Sequence, residues 1–296
     1  MSIITKSNNT LSSLVNGFGT VNMLGTTAQA QFDAYKARVL ADGGVIKDEA
    51  RTLKAFNLLF NSKMYGNMNT AVSGTFGVKL DSNGGITKLY AIDGTDLIGT
   101  AYGTGTLPKL DANNNIDFST NSATDNVNGA MFSTANKMVV SRTGRFGAML
   151  FMKSIDTSAP QRLSALTKHN DVVFASTGAI MTIATSIYGE VILSMQTDPF
   201  KLSGATYVTA RLIATAPTSF VTIPENSAIY GSRYGAEATA PTGKTFTQIT
   251  TEEFYIDFGG QYYSDKKFFG SGVERDFFCF SHASREQASM LSAFTA

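Results

Sequence analysis

Tryptophan is absent from this 296-residue sequence, and cysteine, histidine and charged residues are scarce. The single cysteine, Cys279, excludes an intrachain disulfide and a thiolate zinc site, and two histidines, His169 and His282, are too few to complete a histidine metal site. We therefore expect no bound metal and no cofactor. Charged residues make up 16% of the chain and the net charge is +1, which provides no long-range field for nucleic acid or an anionic membrane. Neither is expected as a partner.

Long hydrophobic runs are also missing. No segment approaches the roughly 18 consecutive apolar residues of a membrane-spanning helix. Residues 1–30 lack the continuous apolar segment of a signal peptide, because Asn16, Gly17 and Gly19 interrupt it. These two absences predict a soluble protein that is not exported by a cleaved leader.

The N-terminal part divides into an arm and two helices. Residues 1–30 are rich in Ser, Thr, Asn and Gly and have no clear period, which predicts an extended arm that orders only against another surface. Residues 31–66 contain two helical patterns, with Phe32 and Tyr35 on one face of the first and Phe56 on the apolar side of the second. This spacing predicts a short helical hairpin.

Residues 67–118 change to short apolar pieces separated by Gly and Asn, which predicts a β-rich connector. The connector contains two similar turns, KLDSNGGI and KLDANNNI. The second turn places Asp and Asn side chains at alternate positions from Asp111 to Asp117, as in a calcium loop. It lacks the central Gly of such a loop and the Glu at its twelfth position. A plain turn is favoured, and calcium binding near Asp111 to Asp117 is left open.

Residues 119–296 consist of short β-branched or aromatic pieces bounded by turn residues, and helical composition returns only near the C-terminus. Along residues 207–213 one side is apolar and the other is mixed, which is typical of a half-buried strand in a two-layer sandwich. Ser284 is placed to cap a short final helix. The chain is therefore predicted to be mainly β, an antiparallel jelly-roll β-sandwich preceded by the arm and the hairpin.

Residues 125–296 resemble the concanavalin A-like, laminin-G type jelly roll, a lectin-type sandwich. The likeness lies in the segment NGAMF at 128–132, in the strand pattern RFGAMLFMKS, and in the ending of the chain. That ending runs from the glycine pair at 259–260 through the Phe-Gly pair at 269–270 to the final helix.

Hydrolases of the concanavalin A-like fold share an E-x-D-x-x-E strand, and the resemblance directs attention to Glu274 and Asp276. Residues two apart on a strand share a face, so we expect this pair together at the wet end of the last strand. Cys279 stands where the third carboxylate is required, which leaves no acid pair for glycoside hydrolysis. Because phenylalanines surround it, Cys279 is itself predicted to be a buried, unreactive thiol. No catalytic residue is expected, and a glycan hydrolase remains only as a second alternative.

The segment AYKARVLADGGVIKDEARTLKAFNLLFNSKMY resembles a helical segment placed ahead of such jelly rolls in virion structural proteins of tailed bacteriophages. The resemblance implies a non-enzymatic virion component, either a capsid decoration or a head/tail accessory protein, that is assembled in the host cytoplasm. It also implies a homo-oligomer with other virion proteins as partners, anchored by apolar side chains of the arm and the hairpin. The residues expected to form this anchor are Phe18, Val21, Leu24, Phe32, Tyr35 and Phe56.

A receptor- or glycan-binding module of a phage tail or fibre is the first alternative. Such a module would recognise a glycan or protein of the host surface, and tyrosine rings can stack on sugars where tryptophan is absent. The candidate glycan contacts are Tyr230, Tyr234, Tyr262 and Tyr263. The competing interpretation is that these tyrosines only pack strand ends and loops.

Overall fold

The computed structural model describes residues 27–122, 124–139, 147–155, 161–167, 179–185, 190–196, 207–213, 218–225, 228–233, 236–241, 253–263 and 266–294. The helices are α1 (Ala28–Ala41), α2 (Glu49–Asn61) and α3 (Arg285–Ala293), with a 3-10 turn at Tyr65–Asn67. In chain order the strands are β1 (Val45–Ile46), β2 (Met68–Ser73), β3 (Gly77–Leu80), β4 (Ile86–Tyr90), β5 (Leu97–Tyr102), β6 (Lys109–Leu110), β7 (Ile116–Asp117), β8 (Gly129–Thr134), β9 (Met138–Val139), β10 (Gly147–Ile155), β11 (Gln161–Thr167), β12 (Ala179–Thr185), β13 (Glu190–Gln196), β14 (Tyr207–Ile213), β15 (Thr218–Glu225), β16 (Ala228–Arg233), β17 (Ala236–Pro241), β18 (Glu253–Phe258), β19 (Gly260–Tyr263), β20 (Lys266–Phe269) and β21 (Gly272–Phe280).

Each α-helix begins after a residue whose side chain caps it. The side chains of Thr27 and Asp48 accept hydrogen bonds from backbone N–H groups in the first turns of α1 and α2. Ser284 and Gln287 form a capping box at the start of α3, which confirms the cap predicted there. Helix α1 begins at Ala28, so the helix takes in the last residues of the predicted 1–30 arm.

The strands pair into two large antiparallel sheets. The first sheet has 11 strands, in the order β1-β3-β4-β5-β8-β18-β11-β12-β13-β14, with β9 paired to β18. The second sheet has eight strands, in the order β17-β16-β15-β10-β21-β7-β6, with β2 paired to β21. Strands β19 and β20 form a separate hairpin. The predicted antiparallel β-sandwich with a helical N-terminal part is therefore confirmed, and the strand predicted at 207–213 is present.

Two apolar cores hold the layers together. The first core lies between the two sheets, and both sheets contribute side chains that are fully buried. These include Leu89, Phe132 and Phe258 from the first sheet and Leu150, Phe277 and Cys279 from the second. The second core lies between the second sheet and the helices, and it contains Phe278 and Phe280 together with side chains from all three helices. Because successive side chains on a strand point to opposite faces, the aromatic run at 277–280 supplies both cores. Strand β21 thus lies at the centre of the fold.

The strands at 67–118 belong to the same two sheets as the strands that follow them. Strand β2 pairs with β21 from Met68 opposite Phe280 to Ser73 opposite Asp276. Strand β5 pairs with β8 along its length. The predicted division into a connector at 67–118 and a sandwich at 119–296 therefore does not separate two packing units.

A β-bulge in β21 separates the two carboxylates that the sequence placed on one face. Leu150 of β10 lies opposite Phe277, and Met152 lies opposite Glu274, so that Arg275 and Asp276 together face Phe151. Since the extra residue reverses the alternation, Glu274 turns toward the first core while Asp276 faces the helices. The prediction that both carboxylates share the wet end of the strand is wrong, because Glu274 and Asp276 are 1% and 0% exposed. Within the described residues, no helix combines the length and apolar character needed to cross a membrane.

Candidate functional site

The β19–β20 hairpin projects one face toward the end of the first sheet. In its register Tyr262 lies opposite Lys267, and Gly260 lies opposite Phe269. Residues opposite each other in a strand pair, and residues two apart, share a face. Tyr262, Lys267 and Phe269 therefore project together from the hairpin.

Phe269 pins the base of the hairpin to the sheet. Its ring is 1% exposed and lies against Gly129 of β8, where a Cβ atom would come within 2.5 Å of the ring. The buried Asn121 side chain donates hydrogen bonds to the backbone oxygens of Ala130 and Gly270 and accepts one from the Ala130 backbone N–H. These contacts fix the hairpin relative to β8 and to the neighbouring strand β5.

Tyr102, Tyr262 and Lys267 form the group that we call the tyrosine–lysine surface. The ring centroids of Tyr102 and Tyr262 are 6.2 Å apart with an interplanar angle of 38°. The Lys267 Nζ lies 4.9 Å from the Tyr102 centroid and 4.6 Å from the Tyr262 centroid. All three side chains are half-buried. The ammonium thus contacts two aromatic rings at once, in the range of a cation–π interaction.

Asp257 supports this surface from below and is itself closed to solvent. Its carboxylate accepts hydrogen bonds from the hydroxyls of Ser133 and Thr167 and from the Tyr262 backbone N–H, at 2.6, 3.1 and 2.9 Å. The bond to Tyr262 holds the start of the hairpin in place. Burial, reinforced by the negative charge of Asp257, raises the pKa of Tyr102 to about 12, so the phenol keeps its proton at neutral pH.

A loop with an exposed apolar residue borders the surface. The backbone oxygen of Val127 would lie 3.0 Å from a Cβ at Gly103, the residue after Tyr102, and the Val127 side chain is 62% exposed. Asn128 receives hydrogen bonds from the backbone N–H and the hydroxyl of Thr104 through its side-chain oxygen. This loop places an exposed apolar residue next to the end of β5.

Of the predicted glycan contacts, only Tyr262 has a described side chain, and it lies in this surface. Tyr230 and Tyr263 belong to β16 and β19, but their side chains fall outside the described residues, as does all of Tyr234. Tyr102 and Lys267 were not singled out from the sequence. The segment QYYSDKKFFG carries a signal for Lys267, since pairing of its two ends as a hairpin sets Tyr262 opposite that lysine.

The predicted anchor residues in the helices are not available to another subunit. Phe32, Tyr35 and Phe56 are 5%, 4% and 0% exposed, and they pack into the second core. The Tyr35 hydroxyl donates a hydrogen bond to the Tyr90 backbone oxygen and accepts one from the Gly77 backbone N–H. Their expected role as an intersubunit anchor is therefore wrong, because the outer face of the second sheet needs this cover. Phe18, Val21 and Leu24 lie outside the described residues.

The charged residues at 274–276 do not form a solvent-accessible site. They make internal contacts instead. The Asp276 carboxylate is bound by Arg51 Nη2 at 2.6 Å, by the Ser73 hydroxyl at 2.6 Å and by Arg275 Nε at 3.0 Å. Glu274 lies among apolar residues, and burial raises its pKa well above the usual value. Burial also raises the pKa of the Cys279 thiol, in agreement with the predicted unreactive cysteine.

The turn at Asp111 uses its carboxylate internally. One oxygen accepts the backbone N–H groups of Asn113 and Asn115, and the other binds the Asn115 amide and Lys153 Nζ at 2.8 and 2.9 Å. This is the geometry of a side chain closing its own turn. Within the part of the chain that the structure describes, no group of three or more His, Cys, Asp or Glu side chains is arranged to hold a metal ion.

No family model and no curated protein matches the chain. Among solved structures, the CBM40 of the Ruminococcus gnavus IT-sialidase, bound to alpha2,3 sialyllactose, is 9% identical over 54% of this chain and 97% of its own, with a TM-score of 0.40. A structure of botulinum neurotoxin type C, whose cell entry depends on interaction with two ganglioside molecules, is 9% identical over 79% of this chain and 52% of its own, with a TM-score of 0.49. The binding domain of botulinum neurotoxin serotype D is 10% identical over 77% of this chain and 51% of its own, with a TM-score of 0.48. The chain spans about half of each toxin chain. At these scores the likenesses carry no argument about what this chain binds.

Proposed function

We propose that this chain is a non-enzymatic binding protein whose β-sandwich presents the tyrosine–lysine surface to a glycan. The observation that carries the proposal is the pairing of Tyr102 and Tyr262 around Lys267 at the end of the first sheet. The two rings come from distant parts of the sequence and are held by a buried phenylalanine and a buried carboxylate.

A sugar offers both kinds of group that this surface can accept. The apolar C–H face of a pyranose packs on an aromatic ring, while its hydroxyls require hydrogen-bonding partners at the edge. The tyrosine hydroxyls and the Lys267 ammonium provide such partners beside the rings, and Val127 adds an exposed apolar edge. A rigid platform also binds at a low entropic cost, because its side chains are already ordered.

The burial of the candidate acidic residues supports the proposal that the protein is not an enzyme. Glu274 and Asp276 are buried on opposite faces of β21, so they cannot act as a pair across one glycosidic bond. Asp257 is buried beneath the surface and is engaged by three hydrogen-bond donors. From the resemblance of the N-terminal segment to tailed-phage proteins, we propose further that the module is part of a virion.

The experiment is a glycan array, with neutral and acidic oligosaccharides, probed with the full chain and followed by titration of the hits. Tyr102→Leu and Tyr262→Leu each remove a flat ring but keep apolar volume. We expect each to weaken binding by roughly 0.5–1.5 kcal/mol, about twofold to tenfold in Kd.

The matched control is Tyr255→Leu. Tyr255 is also half-buried and also has a lysine near its ring, with Lys137 Nζ at 6.0 Å, but it lies outside the tyrosine–lysine surface. Its replacement should leave affinity unchanged. If no array sugar binds, or if all three variants bind alike, the surface is a packing feature and the proposed function fails.

A further inference from the structure

We infer that the tyrosine–lysine surface selects an anionic sugar, with the Lys267 ammonium bound to the negative group. The inference rests on the proposed glycan function and names the class of sugar. Its basis is the position of the half-buried Lys267 ammonium against two tyrosine rings, with no ion pair to a described carboxylate.

Four described lysines form ion pairs with carboxylates, namely Lys36, Lys79, Lys88 and Lys153. The ion pairs of Lys36, Lys88 and Lys153 have N···O distances of 2.6, 2.9 and 2.9 Å. Lys267 instead contacts only the rings of Tyr102 and Tyr262, and among the described residues no carboxylate forms an ion pair with it. An ammonium that touches ring faces keeps its N–H donors for another acceptor.

The carboxylate beneath the surface is held by hydrogen bonds from other groups. Asp257 is fully buried and is oriented by Ser133, Thr167 and the Tyr262 backbone. The Tyr102 and Tyr262 rings cover two adjacent sides of the half-buried ammonium, so a bound anion meets a partly desolvated cation. Charge-assisted hydrogen bonds are stronger than neutral ones, and they gain further where water is excluded. With a neutral sugar bound, the cation would have no ion pair to any carboxylate of the described residues.

The test compares each charged sugar with a neutral sugar of related structure. The probes are trigalacturonate and N-acetylneuraminic acid, each against its methyl ester, and galactose 6-sulfate against galactose. Binding of the full chain is followed by tyrosine fluorescence, which no tryptophan obscures in this sequence. We expect at least one charged member to bind about tenfold more tightly than its neutral partner, and which pair responds identifies the source of the charge.

Two variants of Lys267 test whether this residue causes the preference for a charged sugar. Lys267→Met should abolish the difference between acid and ester, whereas Lys267→Arg should keep it. Lys137→Met is the matched control, because this exposed lysine also lies near a tyrosine ring. Raising the salt concentration should weaken the binding of the charged sugars and leave the binding of the neutral ones unchanged.

The outcomes distinguish a failure of the anionic selectivity from a failure of the glycan function. Equal binding of acid and ester that still depends on Tyr262 overturns the anionic selectivity and leaves the glycan function standing. If Lys267→Met still prefers the charged sugar, the inference is also overturned, because another group must then bind the negative charge. Failure of all six sugars and of the glycan array removes both proposals.

Discussion

Glu274 leads to a prediction about how stability depends on pH. Its side chain is 1% exposed and lies opposite Met152 and Ile116, both of the first core. Its Oε2 is buried with no hydrogen-bond partner. Burial raises the pKa of Glu274 well above its ordinary value, and no charged neighbour opposes this shift. The folded protein therefore holds a neutral carboxylic acid inside the sandwich.

The sign of the effect follows from the two states of the protein. In the unfolded chain a glutamate ionises near pH 4.3, so above that pH the unfolded state releases a proton that the folded state keeps. Stability must then fall as pH rises, by about 1.4 kcal/mol per pH unit for this one group. The loss begins above the unfolded pKa and ends where pH passes the raised folded pKa. Below about pH 4 both states are protonated and the contribution vanishes.

The assay is urea unfolding of the wild type and Glu274→Gln at half-unit steps from pH 4 to pH 8. The amide has the shape of the neutral acid but cannot ionise, so the variant should lack this slope. Between the unfolded pKa and the raised folded pKa of Glu274, the difference in unfolding free energy should grow in favour of the variant by about 1.4 kcal/mol per pH unit, and it should level off above the folded pKa. Asp93, a second buried acid whose pKa burial raises, is present in both proteins and cancels from the difference.

Glu253→Gln provides the control, since Glu253 is an exposed glutamate on β18. Its stability curve should run parallel to that of the wild type. A difference between wild type and Glu274→Gln that stays constant with pH would refute the reasoning, because a buried acid must bind its proton differently in the two states. Glu274→Met adds an independent measure: by removing an unsatisfied polar atom it should be neutral or stabilising at every pH tested.

Three further predictions concern the same strand, the hairpin and the order of the chain. Asp276→Asn should lower stability by about 3–5 kcal/mol in urea unfolding, since it leaves the Arg51 guanidinium buried without its counter-charge, and an unchanged midpoint would contradict the buried pair. Gly259→Ala should cost about 1–3 kcal/mol in thermal unfolding and displace the hairpin, because Gly259 has a φ of +75° and a Cβ there would meet the Phe118 ring, so a variant with wild-type stability and binding would count against this turn. A fragment of residues 119–296 should show no cooperative melt in circular dichroism, whereas a sharp transition would mean that the earlier strands are dispensable.

Local features of the fold could be predicted because short-range chemistry decides them. The cap at Ser284 and the strand at 207–213 depend on neighbouring residues and on alternation, both visible in one segment. The positions of Glu274 and Asp276 could not be predicted in this way. A bulge opposite Phe151 reverses their faces, and the bulge depends on β10, which is more than 100 residues away in the sequence.

The candidate site shows the same division. Tyr262 was predicted as a glycan contact from its place in a loop, and pairing that loop as a hairpin would have given Lys267 as its cross-strand neighbour. Tyr102 could not be linked to them, because nothing in a glycine-rich segment reveals that β5 ends beside the β19–β20 hairpin. Only pairing of β5 with β8, and packing of Phe269 on Gly129, brings the rings together.

This assembly changes which part of the chain must carry the function. The sequence assigned glycan contacts to residues 119–296 and an anchoring role to the helices. Yet Tyr102 lies before residue 119, and the helices close the outer face of the sheet that contains β21. A binding surface made from both halves can be rigid only when both halves are folded together. We therefore expect recognition and stability to be lost together in any truncation that removes β5, and attachment to a virion to use surfaces other than the buried helix faces.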